Sequence, residues 1–164
     1  MLILGIDPGS RHTGFGLVES QPGGTVRPID YGRISCPART PIPERIGRLA
    51  SELESITERW HPDVAVLETP FLGLNAKSLV VLAQARGALM AVLVNQGVEI
   101  AEYSPAEVKN AVSGNGRADK EQVKQMVRLQ LSLGKAPLAA DASDALALAI
   151  CYAHRYRMDR LVSR

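Results

Sequence analysis

Two short apolar runs in this chain each end on a carboxylate: LILGID (2–7) and DVAVLE (63–68). The second lacks strict alternation of apolar and polar residues, as expected for a strand covered on both faces. A chain with such strands must layer helices on both sides of a sheet. Asp7 is followed at once by Pro8-Gly9-Ser10, and Glu68 by Thr69-Pro70. A buried carboxylate is costly unless something neutralises it. If the two strands are neighbours, their terminal carboxylates would require a cation or a shared proton. The plainer alternative is that Asp7 only starts a turn.

The rest of the chain supplies the layers. Residues 2–7 and 13–19 read as a hairpin, and a third strand is expected around 25–35, after Pro22-Gly23-Gly24. Ile46, Leu49, Leu53 and Ile56 recur at helical spacing and predict a helix over 44–60. A helix over 76–95, a strand near 98–103 and helices near 105–112, 119–133 and 141–157 follow. Strands come first and alternate with helices later, without a long linker, repeat or low-complexity tract. The expectation is a single α/β domain over residues 1–164, with an antiparallel meander opening onto parallel strands. Helix 76–95 is apolar nearly all round, so it is either central in the core or buried against a partner, such as a second copy of the chain.

A third source of carboxylates is LAADASDALALAI (138–150). On a helix, Asp141 and Asp144 are related as i and i+3 and share a face. They also suit a helix N-terminus, with Asp141 as N-cap and Asp144 in the first turn. That alternative leaves Asp7 and Glu68 unexplained, whereas divalent metal binding covers all four. Hard cations such as Mg²⁺ prefer carboxylate oxygens and bind substrate phosphates. Two such ions can clamp a phosphodiester, one activating water and the other stabilising the leaving oxygen. The donors are carboxylates, without ligand-spaced cysteine or histidine, which suits Mg²⁺ or Mn²⁺ rather than zinc.

Charge and composition are compatible with this chemistry. The net charge is only +2, but with those four carboxylates neutralised the remaining side chains are basic by about six. Lys109, Arg117, Lys120, Lys124, Arg128 and Lys135 form a modest basic stretch, readable as phosphate contacts or as a solvated helix face. Cys36 and Cys151 have no CxxC spacing, which fits a reducing compartment. The N-terminus lacks a basic stretch before its apolar run, so no signal peptide is expected. Gln84 and Arg86 interrupt the most apolar region, which argues against a membrane span.

GIDPGSRHTGFG (5–16), VLETPF (66–71), LAQARG (82–87) and DASDALALAI (141–150), in this order, resemble the RuvC family of bacterial Holliday-junction resolvases. The resemblance covers essentially the whole chain. It implies a ribonuclease-H-like fold with a five-stranded mixed sheet flanked by helices, and a homodimer acting on four-way junction DNA. It also implies two Mg²⁺ per subunit, with Mn²⁺ as a substitute. Asp7, Glu68, Asp141 and Asp144 match the family's catalytic metal ligands; the position of Asp141 is histidine in some relatives. Phe71 matches an aromatic that unstacks bases at the crossover, where stacking contributes about 1–3 kcal/mol per base; by itself it also suits a core. Lys109 and Lys120 match lysines near the scissile phosphate or the DNA backbone, and Lys120 begins a helix whose N-terminus would attract phosphate. Arg11 and Asn75 match further DNA contacts. Leu72-Gly73-Leu74 departs from relatives that carry a lysine before the asparagine; here the basic residue is Lys77.

The implied activity is symmetric nicking of two like-polarity strands, leaving 5′-phosphate and 3′-hydroxyl ends, in recombination and repair. The implied setting is the bacterial cytoplasm, with the RuvA-RuvB branch-migration complex as partner and no membrane. Rival readings are a YqgF-type nuclease of ribosomal RNA precursors, an ATPase of the actin and sugar-kinase type, and a silent junction-binding module. The ATPase would need two such domains, and a silent binder has no reason to keep four like charges beside phosphates.

Overall fold

β1 (Leu2–Asp7) lies at the centre of the sheet. The computed structural model describes residues 1–9, 11–37, 39–69 and 76–162. In it β1 pairs antiparallel with β2 (His12–Ser20) and parallel with β4 (Val64–Glu68). β3 (Val26–Ser35) extends the meander beyond β2, and β5 (Glu99–Tyr103) runs parallel beyond β4. The order β3-β2-β1-β4-β5 is the five-stranded mixed sheet expected.

Helices cover both faces: α1 (Ile42–Trp60), α2 (Ala76–Asn95), α3 (Pro105–Ser113), α4 (Lys120–Gln130) and α5 (Ala140–Val162). Ile3, Val64 and Val66 pack with α3, α4 and α5. Their neighbours in sequence, Leu4, Ile6, Ala65 and Leu67, pack with α1 and α2. This is why the runs are apolar throughout rather than alternating. The same two-residue period carries Asp7 and Glu68 to the α5 side, at the carboxyl ends of adjacent strands.

The seat of α5 is a floor of glycines. Gly5 and Gly16 face each other across the β1–β2 ladder, and Gly14 faces Asp7. A Cβ on Gly5 would strike the Ala145 carbonyl, one on Gly14 the Asp141 carbonyl, and one on Gly16 the Leu146 side chain. Bare backbone lets the helix carrying Asp141 and Asp144 settle directly over the end of β1. The turn between β1 and β2 is tied by Thr13, fully buried, whose hydroxyl donates to the Gly9 carbonyl at 3.2 Å.

Element ends differ modestly from expectation. α1 begins at Ile42, because Pro43 sits in the first turn where no backbone N–H is needed. α4 ends at Gln130 rather than near 133: Ser132 takes a left-handed φ of 52°, and the Leu133 N–H turns back to the Arg128 carbonyl. α5 continues past 157 to Val162. Among the described residues α2 is the one helix long and apolar enough to cross a bilayer, with a mean hydropathy of 1.6. Yet it buries Ala85, Arg86, Leu89 and Leu93 against the protein, and only 22% of its apolar stretch is buried.

Candidate active site

Asp7 and Glu68 leave adjacent parallel strands, Asp144 descends from α5, and Lys109 and Lys120 arrive from α3 and α4. These five side chains line one cavity of about 220 Å³, walled by Pro105, Val108, Val123, Ala147 and Leu148. Asp7, Glu68 and Lys120 also line a second cavity of about 590 Å³ that extends toward α2.

The electrostatics show how strained this collection of like charges is. Burial, then the carboxylates of Asp144, Glu68 and Asp141, push the Asp7 carboxyl up to about 7, with Lys120 opposing. Glu68 is raised as well, by burial and then Asp144, while Lys120, Lys109 and Arg86 pull it down. Lys120 is the main local counter-charge. Its Nζ stands 3.4 Å from Asp144 Oδ2, which raises the ammonium against the opposing cost of burial.

Asp141 is placed differently. Its carboxylate faces Arg33 on β3, with Arg33 Nη1 at 3.6 Å from Oδ2. Arg33 lies beside Gly14 in the β2–β3 register, so the missing side chain there leaves the path across β2 open. Among the described residues, no three or more Asp, Glu, His or Cys side chains are arranged to hold a metal ion as they stand. The donor types nevertheless fit a hard divalent cation. Asp7, Glu68 and Asp144 are oxygen donors around one cavity, and the cations that line it with them are Lys109 and Lys120.

Arg11 is exposed in the β1–β2 turn, on the same side of the molecule as the strand end that carries Asp7. Phe71 and Asn75, and the Leu72-Gly73-Leu74 departure between them, fall outside the described residues. The α4 N-terminus offers less to phosphate than its position suggests. The Asp119 side chain accepts from the Gln122 N–H at 2.8 Å, and Gln122 Oε1 accepts from the Asp119 N–H at 3.0 Å. This capping box takes up the backbone N–H groups of Asp119 and Gln122, and the Lys120 ammonium is the side-chain cation at that end.

Three residues escaped sequence reasoning. Thr13 closes the turn behind Asp7, and Arg33 engages Asp141. Arg86, on α2, donates from Nη1 to the Glu68 carbonyl at 2.8 Å and forms an ion pair with Glu102 on β5. Only Arg86 had left a signal, as the sole charge between Lys77 and Glu99.

Comparison with known proteins places this geometry in a family. The family described as crossover junction endodeoxyribonuclease RuvC matches residues 3–152. A protein of that name from Chloroflexus aggregans is 46% identical over 154 residues, 94% of this chain and 93% of its own. The structure of Thermus thermophilus RuvC is 32% identical, with a TM-score of 0.89 over 97% of each chain. The same protein in complex with Holliday junction substrate gives 0.91 at 32% identity, over 97% of this chain and 96% of that one. The expected ribonuclease-H-like architecture is the one shared with these structures. Matched by the family over residues 3–152 and by its members along nearly its full length, this chain belongs to the RuvC family of crossover junction endodeoxyribonucleases.

Proposed function

We propose that this protein is a Holliday-junction resolvase that hydrolyses phosphodiesters in two like-polarity strands of a four-way DNA junction. The observation that carries the reading is the convergence of Asp7, Glu68 and Asp144 with Lys109 and Lys120 in one cavity. Full-length similarity to a protein solved with a Holliday junction substrate supports the choice of DNA. A family match spanning residues 3–152 leaves the ribosomal-RNA nuclease alternative disfavoured.

Asp7, Glu68, Asp141 and Asp144 would hold Mg²⁺, two ions per subunit, with Mn²⁺ able to substitute. When bound, such ions activate water for attack and stabilise the leaving oxygen. The chain's own residues do the rest. Asp7 ends the central strand, and its raised carboxyl would have to be ionised to serve as a ligand. With Asp144 serving as a ligand, the Lys120 ammonium now beside it would be available to a phosphate oxygen. Asp141, paired with Arg33 in the structure, would have to turn from it to join them. Lys109 adds positive charge on the α3 wall, and Arg11, Phe71 and Asn75 are proposed DNA contacts. Hydrolysis on this pattern leaves 5′-phosphate and 3′-hydroxyl ends.

A homodimer is part of the proposal. Val80, Gly87, Ala91 and Val94 are exposed along one face of α2, alternately three and four residues apart after Gln84 is included. Val80 and Val94 are 56% and 65% exposed, a cost that a second copy of the helix would remove. Two-fold symmetry then presents one active site to each of two related strands. Action with the RuvA-RuvB complex in a bacterial cytoplasm, in recombination and repair, follows from family membership as a further proposal.

Asp7→Asn tests the chemical assignment. The variant should bind a four-way junction like the parent in gel-shift titrations with chelator, and its Mg²⁺-dependent cleavage should fall at least about a hundredfold. Undiminished cleavage would exclude Asp7 from the reaction.

A further inference from the structure

Arg86 is a buried cation that none of the chemistry above uses. Its side chain is 10% exposed, and it is the sole charged residue of α2 beyond Lys77. Burying a guanidinium is costly unless its donors are satisfied. Here they are satisfied by two groups from different strands: the Glu68 carbonyl at 2.8 Å and the Glu102 carboxylate. Both lie where the sheet runs out. The β1–β4 ladder stops at Ile6 and Leu67, one residue short of Glu68. On the other side Glu68 pairs with Tyr103, and the Thr69 N–H donates to the Tyr103 carbonyl at 2.8 Å. The residue that carries the carboxylate is therefore held by β5 on one side and by α2, through Arg86, where β1 pairing has ended.

We propose that Arg86 is a positioning residue for Glu68: it fixes the last residue of β4 from α2 and so sets the direction in which the Glu68 carboxylate enters the cavity. The proposal deepens the metal-dependent reading and rests on it. It also ties the active site to α2, the helix whose outer face is proposed to meet the second subunit. Arginine suits the role because its planar fork can serve a carbonyl and a carboxylate at once, whereas a lysine ammonium on a flexible stem holds neither direction firmly.

The test uses the full-length protein with Arg86→Met, which keeps an apolar stem, Arg86→Lys, and Glu102→Gln, which loosens the anchor at a half-exposed site. In metal-free, DNA-free protein, amide exchange at Thr69 should speed by about tenfold or more in Arg86→Met, with Leu4 and Val66 little changed. Mn²⁺ affinity, read from the free-ion electron paramagnetic resonance signal, should fall about 10–100-fold, and single-turnover cleavage at saturating enzyme should fall alongside it. Junction affinity in chelator should stay at the parent level. Arg86→Lys and Glu102→Gln should give smaller losses in the same order. If Arg86→Met does not fold, Glu102→Gln carries the comparison. Unchanged Mn²⁺ affinity, or unchanged Thr69 exchange, in a folded variant overturns the proposal, even if its melting temperature drops. Failure of the parent protein to cut any junction would instead defeat the resolvase reading, and exchange and Mn²⁺ binding would still decide the role of Arg86.

Discussion

Asp7 is where the site's chemistry and the protein's stability oppose each other. Its carboxyl is pushed from 3.8 to about 7 by burial and by Asp144, Glu68 and Asp141. Between those values the native protein binds more protons than the unfolded chain, so the metal-free protein loses stability as pH rises through this window. Asp7→Asn removes the charge and should stabilise the metal-free protein at pH 8 by about 1–3 kcal/mol, while leaving it nearly unchanged at pH 4. Thermal unfolding in chelator at the two pH values measures both arms; equal effects at both would refute a raised Asp7. Asp7 and Glu68 were legible in the sequence because each ends an apolar run, a signal that local order alone carries. The division of labour between Asp141 and Asp144 was not. Residues three apart on a helix diverge by about 60°, enough for one to face the cavity and the other β3. Arg33, which decides the outcome, is distant in sequence and only the β2–β3 register brings it near.

The strands and helices were readable from periodicity, but how closely they approach was not. Gly5, Gly14 and Gly16 stand out in the sequence, yet nothing local says that α5 will lie directly on each of them. Gly14→Ala forces its methyl against the Asp141 carbonyl and must lift the first turn of α5 away from β2. Overpacking of this kind costs about 1–3 kcal/mol, and the shift moves two proposed ligands together. The expected result is a lower melting temperature and strongly impaired cleavage, with weaker loss of junction binding; a variant with parental stability and activity would show that α5 does not need this seat. The early end of α4 was hidden for a related reason. The apolar pattern continues through Leu131 and Leu133, and only the left-handed turn at Ser132 shows that the helix has stopped.

For the molecule as a whole, α2 connects the active site to the proposed dimer. One side of it holds the end of β4 through Arg86, and the other leaves valines in solvent. Its uniform apolarity was legible, and so was the choice between core and partner; the structure resolves it into a half-buried helix with an outer face. Replacing Val80 and Val94 together with glutamate puts like charges on both copies of that seam. Sedimentation should then report a folded monomer that no longer makes paired nicks, whereas an intact dimer would move the interface elsewhere. The most direct measurement is cleavage of an end-labelled four-way junction beside a linear duplex of the same sequence, each with Mg²⁺ and with chelator. A resolvase with the proposed site cuts only the junction, only with Mg²⁺, and at two-fold-related positions. Equal cutting of junction and duplex, or junction cutting in chelator, would contradict it.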